Sequence, residues 1–389
     1  MDGMYSTQRT TMSFMPGSGT LRSRLQRVDW LLAGCAVLLI AMGLLYIWSA
    51  ATTSFGAAAG AGFAKRQAVF FGIGLLIFLG AQCVDYRTLL RFSPVLYLIC
   101  LVLLVAVLFT RPVNGARSWF DLGVIKFQPT ELMKPVLVLT LAYFLIMRQG
   151  YKDLGGMVTP LILALVPMLL ILKEPDLGGT MTLAPVVVAM LYAAGTRKRY
   201  IALMFSVSAI TLVSMWFTVM KDYQKRRILA WIYPDQYSMA EAYQLIQAKV
   251  AIGAGGFFGQ GHDSATSGLS RLPEKHNDFI FAVAAQEGGF AAAGMILTLL
   301  VLIGLSGLGI ALRTREPAGR LIAVGLSVMM FWQAMINTGV ALGLMPTTGQ
   351  ALPLVSYGGS SMLSCMFCLG LLIQIGSRQE QSLARDPMA

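Results

Sequence analysis

Ten apolar stretches divide this chain, at residues 30–50, 67–84, 93–110, 129–148, 157–172, 178–194, 200–220, 278–311, 321–344 and 357–376, and most are long enough to cross a bilayer. A hydrocarbon core about 30 Å thick needs about 20 helical residues, and it offers no water to unpaired backbone groups. Such segments are therefore helices, because a helix satisfies its own N–H and C=O groups. Composition agrees: 56% of residues are apolar and 12% charged, against about 25% charged in soluble domains. The expected fold is all-α, a polytopic membrane protein with ten transmembrane helices and one large extracytoplasmic loop, 221–277. No nucleic-acid partner is expected.

The first apolar run, Trp30 to Ala50, exceeds the h-region of a signal peptide and has no small-residue cleavage site within it, so it should remain as the first span. Residues 1–29 read as a cytoplasmic tail rich in Ser, Thr and Gly with a basic juxtamembrane end, 30–376 as the ten-helix domain, and 377–389 as a second cytoplasmic tail. With the N-terminus inside, the tails and inner connections hold sixteen Lys and Arg and the short outer loops six. The positive-inside rule selects that orientation, with both termini in the cytoplasm. All five cysteines lie in apolar segments, so neither a disulfide framework nor a zinc site is indicated, and Cys365 and Cys368 read as core packing.

The long connection has structure of its own. Ser238 and Glu241 have capping-box spacing, and Met239, Tyr243, Ile246 and Val250 then recur at helical intervals, which predicts a short amphipathic helix in the outer interface. The glycine-rich stretch Ala251 to Gly261 lacks the strand-turn-helix setting of a phosphate loop and reads as flexible backbone beside the bilayer. The outer loop Met345 to Ser356 holds Pro346 and Pro353 and should fold back over the outer face.

Charges inside a span are costly, about 2.5–3.5 kcal/mol mid-helix on insertion scales, so each asks for a reason. Glu131 and Lys134, three apart just after Pro129, meet on one helix face. They form either a self-satisfied pair or the wall of a polar cavity in which Lys134 faces an anion. Arg66, Arg117, Arg226, Arg227, Arg271 and Lys275 put positive charge on the outer face, where the topology rule would leave little. Together they suggest an anionic partner such as a phosphate-bearing lipid. Asp278 heads the eighth span as either a helix N-cap or a general base whose pKa is raised at the membrane boundary, and His276 is a second candidate base.

The run RLPEKHNDFIFAVAAQEGG (271–289) resembles the signature of the SEDS family, the peptidoglycan polymerases RodA, FtsW and SpoVE. So do NGARSWFDLGVIKFQPTELMKP (114–135), EPDLGGTM (174–181) and NTGVALGLMPTTGQALPLVSYGGSS (337–361). The similarity covers the chain beyond its N-terminal tail. It implies a ten-span glycosyltransferase of the bacterial cytoplasmic membrane that polymerises lipid II into glycan strands on the outer face. By resemblance Asp278 is the essential aspartate, Glu131 and Lys134 are the fourth-span acid and lysine, and Arg66 and Arg117 the cavity arginines; with these, Lys275, His276 and Ser356 are the substrate-binding candidates. A class B penicillin-binding protein transpeptidase is the implied partner within an elongation or division complex. No organic cofactor is implied, and a divalent cation, magnesium or manganese, is a candidate. The stretch AYQLIQAKVAIGAGGFFGQG (242–261) and the short termini are more similar to RodA than to FtsW. Asn277 departs from the usual Thr, and 285–289 from the usual acidic pattern. A lipid II flippase and a catalytically silent scaffold are the rival readings.

Overall fold

A computed structural model describes residues 29–111, 117–121, 123, 126–147, 154–218, 220, 222–237, 242–261 and 276–378. A helix meets each expected span: α1 (Trp30–Phe55), α2 (Ala57–Cys83), α3 (Tyr86–Val107), α4 (Pro129–Met147), α5 (Leu154–Lys173), α6 (Leu177–Ala193) and α7 (Lys198–Thr218), then α10 (Ile280–Arg313), α11 (Pro317–Ala341) and α12 (Gly359–Ser377). Between them, in the long loop, lie α8 (Asp222–Ile232) and α9 (Tyr243–Ala254). Eight of these helices are long and apolar enough to cross a membrane; α6, with 17 residues, is an apolar helix below that length, and α7 is not among the eight. The chain is an all-α multi-pass membrane protein. Its one sheet among the described residues is a hairpin, β1 (Phe120–Asp121) against β2 (Lys126–Phe127), that leads into α4.

The core is built around α4, α11 and α12, in each of which 72% of the apolar window is buried, against 17% in α2. Lipid covers the outer helices, so their apolar faces need no protein partner. Hydrogen bonds gather the start of α4, the start of α6, the residues before α10, the end of α11 and the start of α12 at one face of the bundle. The opposite face is tied separately. There Arg87 pairs with Glu316 at 2.6 Å, Tyr86 donates to Glu316 at 2.6 Å, and Arg378 pairs with Asp85.

Two loop expectations change. The glycine-rich stretch is not loose. α10 breaks at Gly289, where the backbone turns to φ 68° and ψ −165°, and a broken helix strands carbonyls on one side and N–H groups on the other. The turn after α9 satisfies both: Gln260 and Gly261 donate to the Gln286 and Glu287 carbonyls at 2.9 and 3.1 Å, while Phe290 and Ala291 donate to Gly256 and Phe257 at 2.9 and 3.1 Å. Only glycine allows that approach, since a Cβ on Gly259 would overlap the Glu287 carbonyl oxygen.

The amphipathic helix exists, but it is described from Tyr243, with Ala242 at its N-cap and no side-chain cap bond; Ser238 and Glu241 lie outside the described residues. Leu245, Ala248 and Ala251 are its buried face, and Val250 is 55% exposed. Of the expected stripe, Tyr243 and Ile246 are half-buried and only Val250 is exposed, so the buried face lies beside that stripe. All five cysteines are free, and Cys365 and Cys368 are buried in the core as expected.

Candidate active site

The start of α4 carries a buried ion pair. Pro129 opens the helix, Glu131 sits in its first turn, and three residues on the Lys134 ammonium reaches the Glu131 carboxylate at 2.7 Å. Lys134 is 0% exposed and Glu131 5%. Nζ of Lys134 also donates to Oε1 of Gln333 on α11 at 2.9 Å, and Ser364 of α12 donates to the Glu131 carbonyl at 2.9 Å. The pair is therefore not self-contained. It is wired to two other helices.

Beside it lie two carboxylates that residue-by-residue reading did not single out. Asp176 caps α6 by accepting from the Gly179 N–H at 2.7 Å, and it also accepts from Gln128 at 3.2 Å and Gln350 at 3.1 Å. Glu174 is 0% exposed and accepts from Thr130 at 3.3 Å. Burial, and then the neighbouring Asp176 charge, push the Glu174 carboxyl up to about 8, against which the Thr130 bond acts. Burial likewise raises Asp176 to about 6, opposed by the Gly179 N–H and Lys134. Two acids two residues apart, between apolar helices, were the available signal.

Asp278 lies half-buried in the turn 276–279, ahead of α10. It is not the cap: the N-cap position is Phe279, without a side-chain cap bond. Three successive carbonyls of this turn are held from other elements. The Tyr357 N–H donates to His276 O at 3.0 Å, the Ser356 hydroxyl to Asn277 O at 2.5 Å, and Asn337 Nδ2 to Asp278 O at 2.8 Å. A Cβ added to Gly349, in the loop before α12, would lie 3.5 Å from Oδ2 of Asp278. The carboxylate therefore stands against the loop between α11 and α12, on a turn whose backbone has little freedom. That loop enters the bundle instead of lying over it: residues 352–356 are buried, and Gln333 and Asn337 bond the carbonyls of Ala351 and Gln350 at 3.0 and 2.6 Å.

Of the other expected residues, Ser356 acts on backbone, since its hydroxyl also accepts from the Leu352 N–H at 2.8 Å. His276 is buried, with its ring against Phe63 at 4.8 Å, Tyr357 at 5.7 Å and Phe55 at 6.4 Å between centroids. Arg66 is exposed on α2 and makes no ion pair among the described residues; its neighbour Gln67 ties that helix to Ser356 and Gly358. Arg117 is exposed and donates to the Leu108 carbonyl at 3.1 Å, closing the end of α3. Lys275 and Arg271 lie outside the described residues. Among the described residues no three His, Cys, Asp or Glu side chains converge as metal ligands. The oxygens of Asp176 already accept three hydrogen bonds, which leaves this carboxylate little capacity for a cation.

A bundle of membrane-crossing helices that gathers buried charges, Glu131, Lys134, Glu174 and Asp176, at one set of helix ends is the class of molecule defined here. The chain belongs to the FtsW/RodA/SpoVE family of cell cycle proteins, whose model matches residues 29–381. A probable peptidoglycan glycosyltransferase FtsW from Geobacter sulfurreducens is 36% identical over 364 residues, which is 91% of this chain and 96% of the relative. The peptidoglycan glycosyltransferase MrdB of Escherichia coli is 35% identical over 344 residues, 88% of this chain and 91% of the relative. Among solved structures, a chain of a peptidoglycan synthase complex in which polymerization and crosslinking are coordinated superposes with a TM-score of 0.78 at 31% identity, over 91% of this chain and 99% of the other. The rod shape determining protein RodA of Thermus thermophilus superposes with a TM-score of 0.68 at 30% identity, over 91% and 98%.

Proposed function

We propose that this protein is a peptidoglycan glycosyltransferase that polymerises lipid II at the outer face of the bacterial cytoplasmic membrane, with ten spans and both termini in the cytoplasm. The observation that carries this reading is Asp278, a carboxylate on a turn held at three successive carbonyls and placed at the same helix ends as buried Lys134. The acceptor's N-acetylglucosamine 4-hydroxyl attacks the anomeric carbon of the donor's N-acetylmuramic acid. The new C–O bond forms as the bond to undecaprenyl pyrophosphate breaks, and Asp278 takes the hydroxyl proton. Such a positioned base is worth about 10²–10⁴ in rate. Cationic Arg66 and Lys134 offset charge developing on the leaving pyrophosphate. A single base with inversion needs no second carboxylate as nucleophile.

The named relatives split between FtsW and MrdB at nearly equal identity, 36% and 35%, so they do not choose the branch. The 242–261 stretch favours the RodA-like, cell-elongation role over a division or sporulation role, and a class B penicillin-binding protein as the transpeptidase partner. A flippase would need polar groups continuing across the bundle, whereas this network stays at one set of helix ends. Purified protein given lipid II in detergent, where no transport can occur, should yield glycan polymer. Absence of polymer both alone and with the cognate transpeptidase would favour the flippase or scaffold.

A further inference from the structure

We infer that Gln333 and Asn337, one helical turn apart on α11, are positioning residues that set where Lys134 stands relative to Asp278. The inference rests on the glycosyltransferase reading for its chemistry and on four hydrogen bonds for its geometry. Gln333 accepts from Lys134 Nζ at 2.9 Å and donates to the Ala351 carbonyl at 3.0 Å. Asn337 donates to the adjacent Gln350 carbonyl at 2.6 Å and to the Asp278 carbonyl at 2.8 Å. The cation and the base are thus both referred to two successive peptides of the loop before α12, through two side chains on one helix face.

Burial makes the device stiff. Gln333 is 2% exposed and Asn337 1%, so neither can trade a partner for water without leaving a polar group stranded. Among the described residues Oδ1 of Asn337 has no hydrogen-bond partner, so there the amide is anchored by its donors. Leucine at this position removes both anchors at nearly constant volume and takes away no accepted bond. Misplacement of a reacting group by about 1 Å can cost about 100-fold in rate without changing what binds. The consequence belongs in kcat.

The test measures lipid II polymerisation by Asn337→Leu, Gln333→Met and the double variant in detergent, with melting followed in parallel. Asn337→Ser, whose shorter hydroxyl can serve at most one carbonyl, replaces Asn337→Leu should that variant fail to fold. Expected are kcat losses of about tenfold or more for each single change with KM within about twofold, and a double loss smaller than their product, because both grips act on adjacent peptides of one loop. A raised KM at unchanged kcat, multiplicative losses, or a kcat loss no larger than the loss of folded protein would overturn the inference. Hydrogen exchange separates its failure from that of the function itself. In Asn337→Leu, amides of 276–279 and 350–357 should exchange faster while those of α12 stay protected, and that result stands or falls whether or not the parent polymerises lipid II.

Discussion

At Asp278 the choice lies between a helix cap and a base, and the position of the helix start separates them. Since Phe279 holds the cap position, Asp278→Asn and Asp278→Ala should both insert and fold, and Asp278→Asn, which keeps the size and hydrogen-bonding reach of the side chain, should melt close to the parent. Both should lose polymerisation by about 100-fold or more, the scale of a missing general base. Near-normal activity in a well-folded Asp278→Asn protein would move the base elsewhere. For Glu131 and Lys134, removing one partner of a buried pair leaves an uncompensated charge, at about 3–5 kcal/mol, while removing both does not. A melting cycle of Glu131→Gln, Lys134→Met and the double change should therefore show the double variant more stable than either single; additive losses would contradict the coupling. Glu174 gives a pH signature. Its carboxyl, raised from 4.5 to about 8, binds its proton more tightly folded than unfolded, so its contribution is complete below pH 4.5 and is lost as pH rises through about 8. Glu174→Gln should flatten the fall of melting temperature between those limits. Asp176, shifted the same way over the lower window from 3.8 to about 6, keeps its part. Parallel curves for the two proteins would count against the assignment.

Among the elements, α10 departs furthest from a uniform helix. Its first segment, with Ile280 to Gln286 entirely buried, follows directly on the Asp278 turn, and the Gly255 to Gly261 turn fastens the break behind it. Gly289 is indispensable twice over, since φ 68° disfavours any side chain and a Cβ there would overlap the Gly259 nitrogen. Gly289→Ala should therefore destabilise by more than the ordinary 0.4–1 kcal/mol scale of glycine effects, roughly 2 kcal/mol or more, and depress activity by moving the segment. A methyl group added to Gly309 in the same helix would meet nothing within 4 Å, so Gly309→Ala should be neutral or stabilising by up to about 1 kcal/mol. Equal melting temperatures for the two variants would show that the break is not held as described. The glycines of 251–261 are visible in the sequence; their purpose was not, because it depends on a helix break about thirty residues further on.

Across the whole molecule, two separate polar systems sit at opposite ends of the bundle. One holds Asp278, Lys134 and Asp176; the other holds Arg87, Glu316 and Gln374. Gln374 on α12 accepts from the Tyr86 N–H at 2.9 Å and donates to the carbonyls of Ala81 and Val84 at 2.8 and 2.5 Å, which closes the junction of α2 and α3. Gln374→Leu strands those groups at about 1–3 kcal/mol each, so it should lower the melting temperature clearly while the folded fraction keeps its kcat. A kcat loss in fully folded Gln374→Leu protein would show that the two ends communicate. From the sequence alone came the helices, their approximate limits, the family and the candidates Asp278, Glu131 and Lys134, because lipid forces each span to be a self-satisfied apolar helix and makes any buried charge conspicuous. Only the tertiary structure decided that Gln333, Asn337 and Gln350 join those charges, that Arg117 turns to the end of α3, and that the loop between α11 and α12 enters the bundle. The physical reason is range: a span is specified by about 20 consecutive residues, whereas which polar groups meet depends on how helices more than a hundred residues apart rotate and pack against one another.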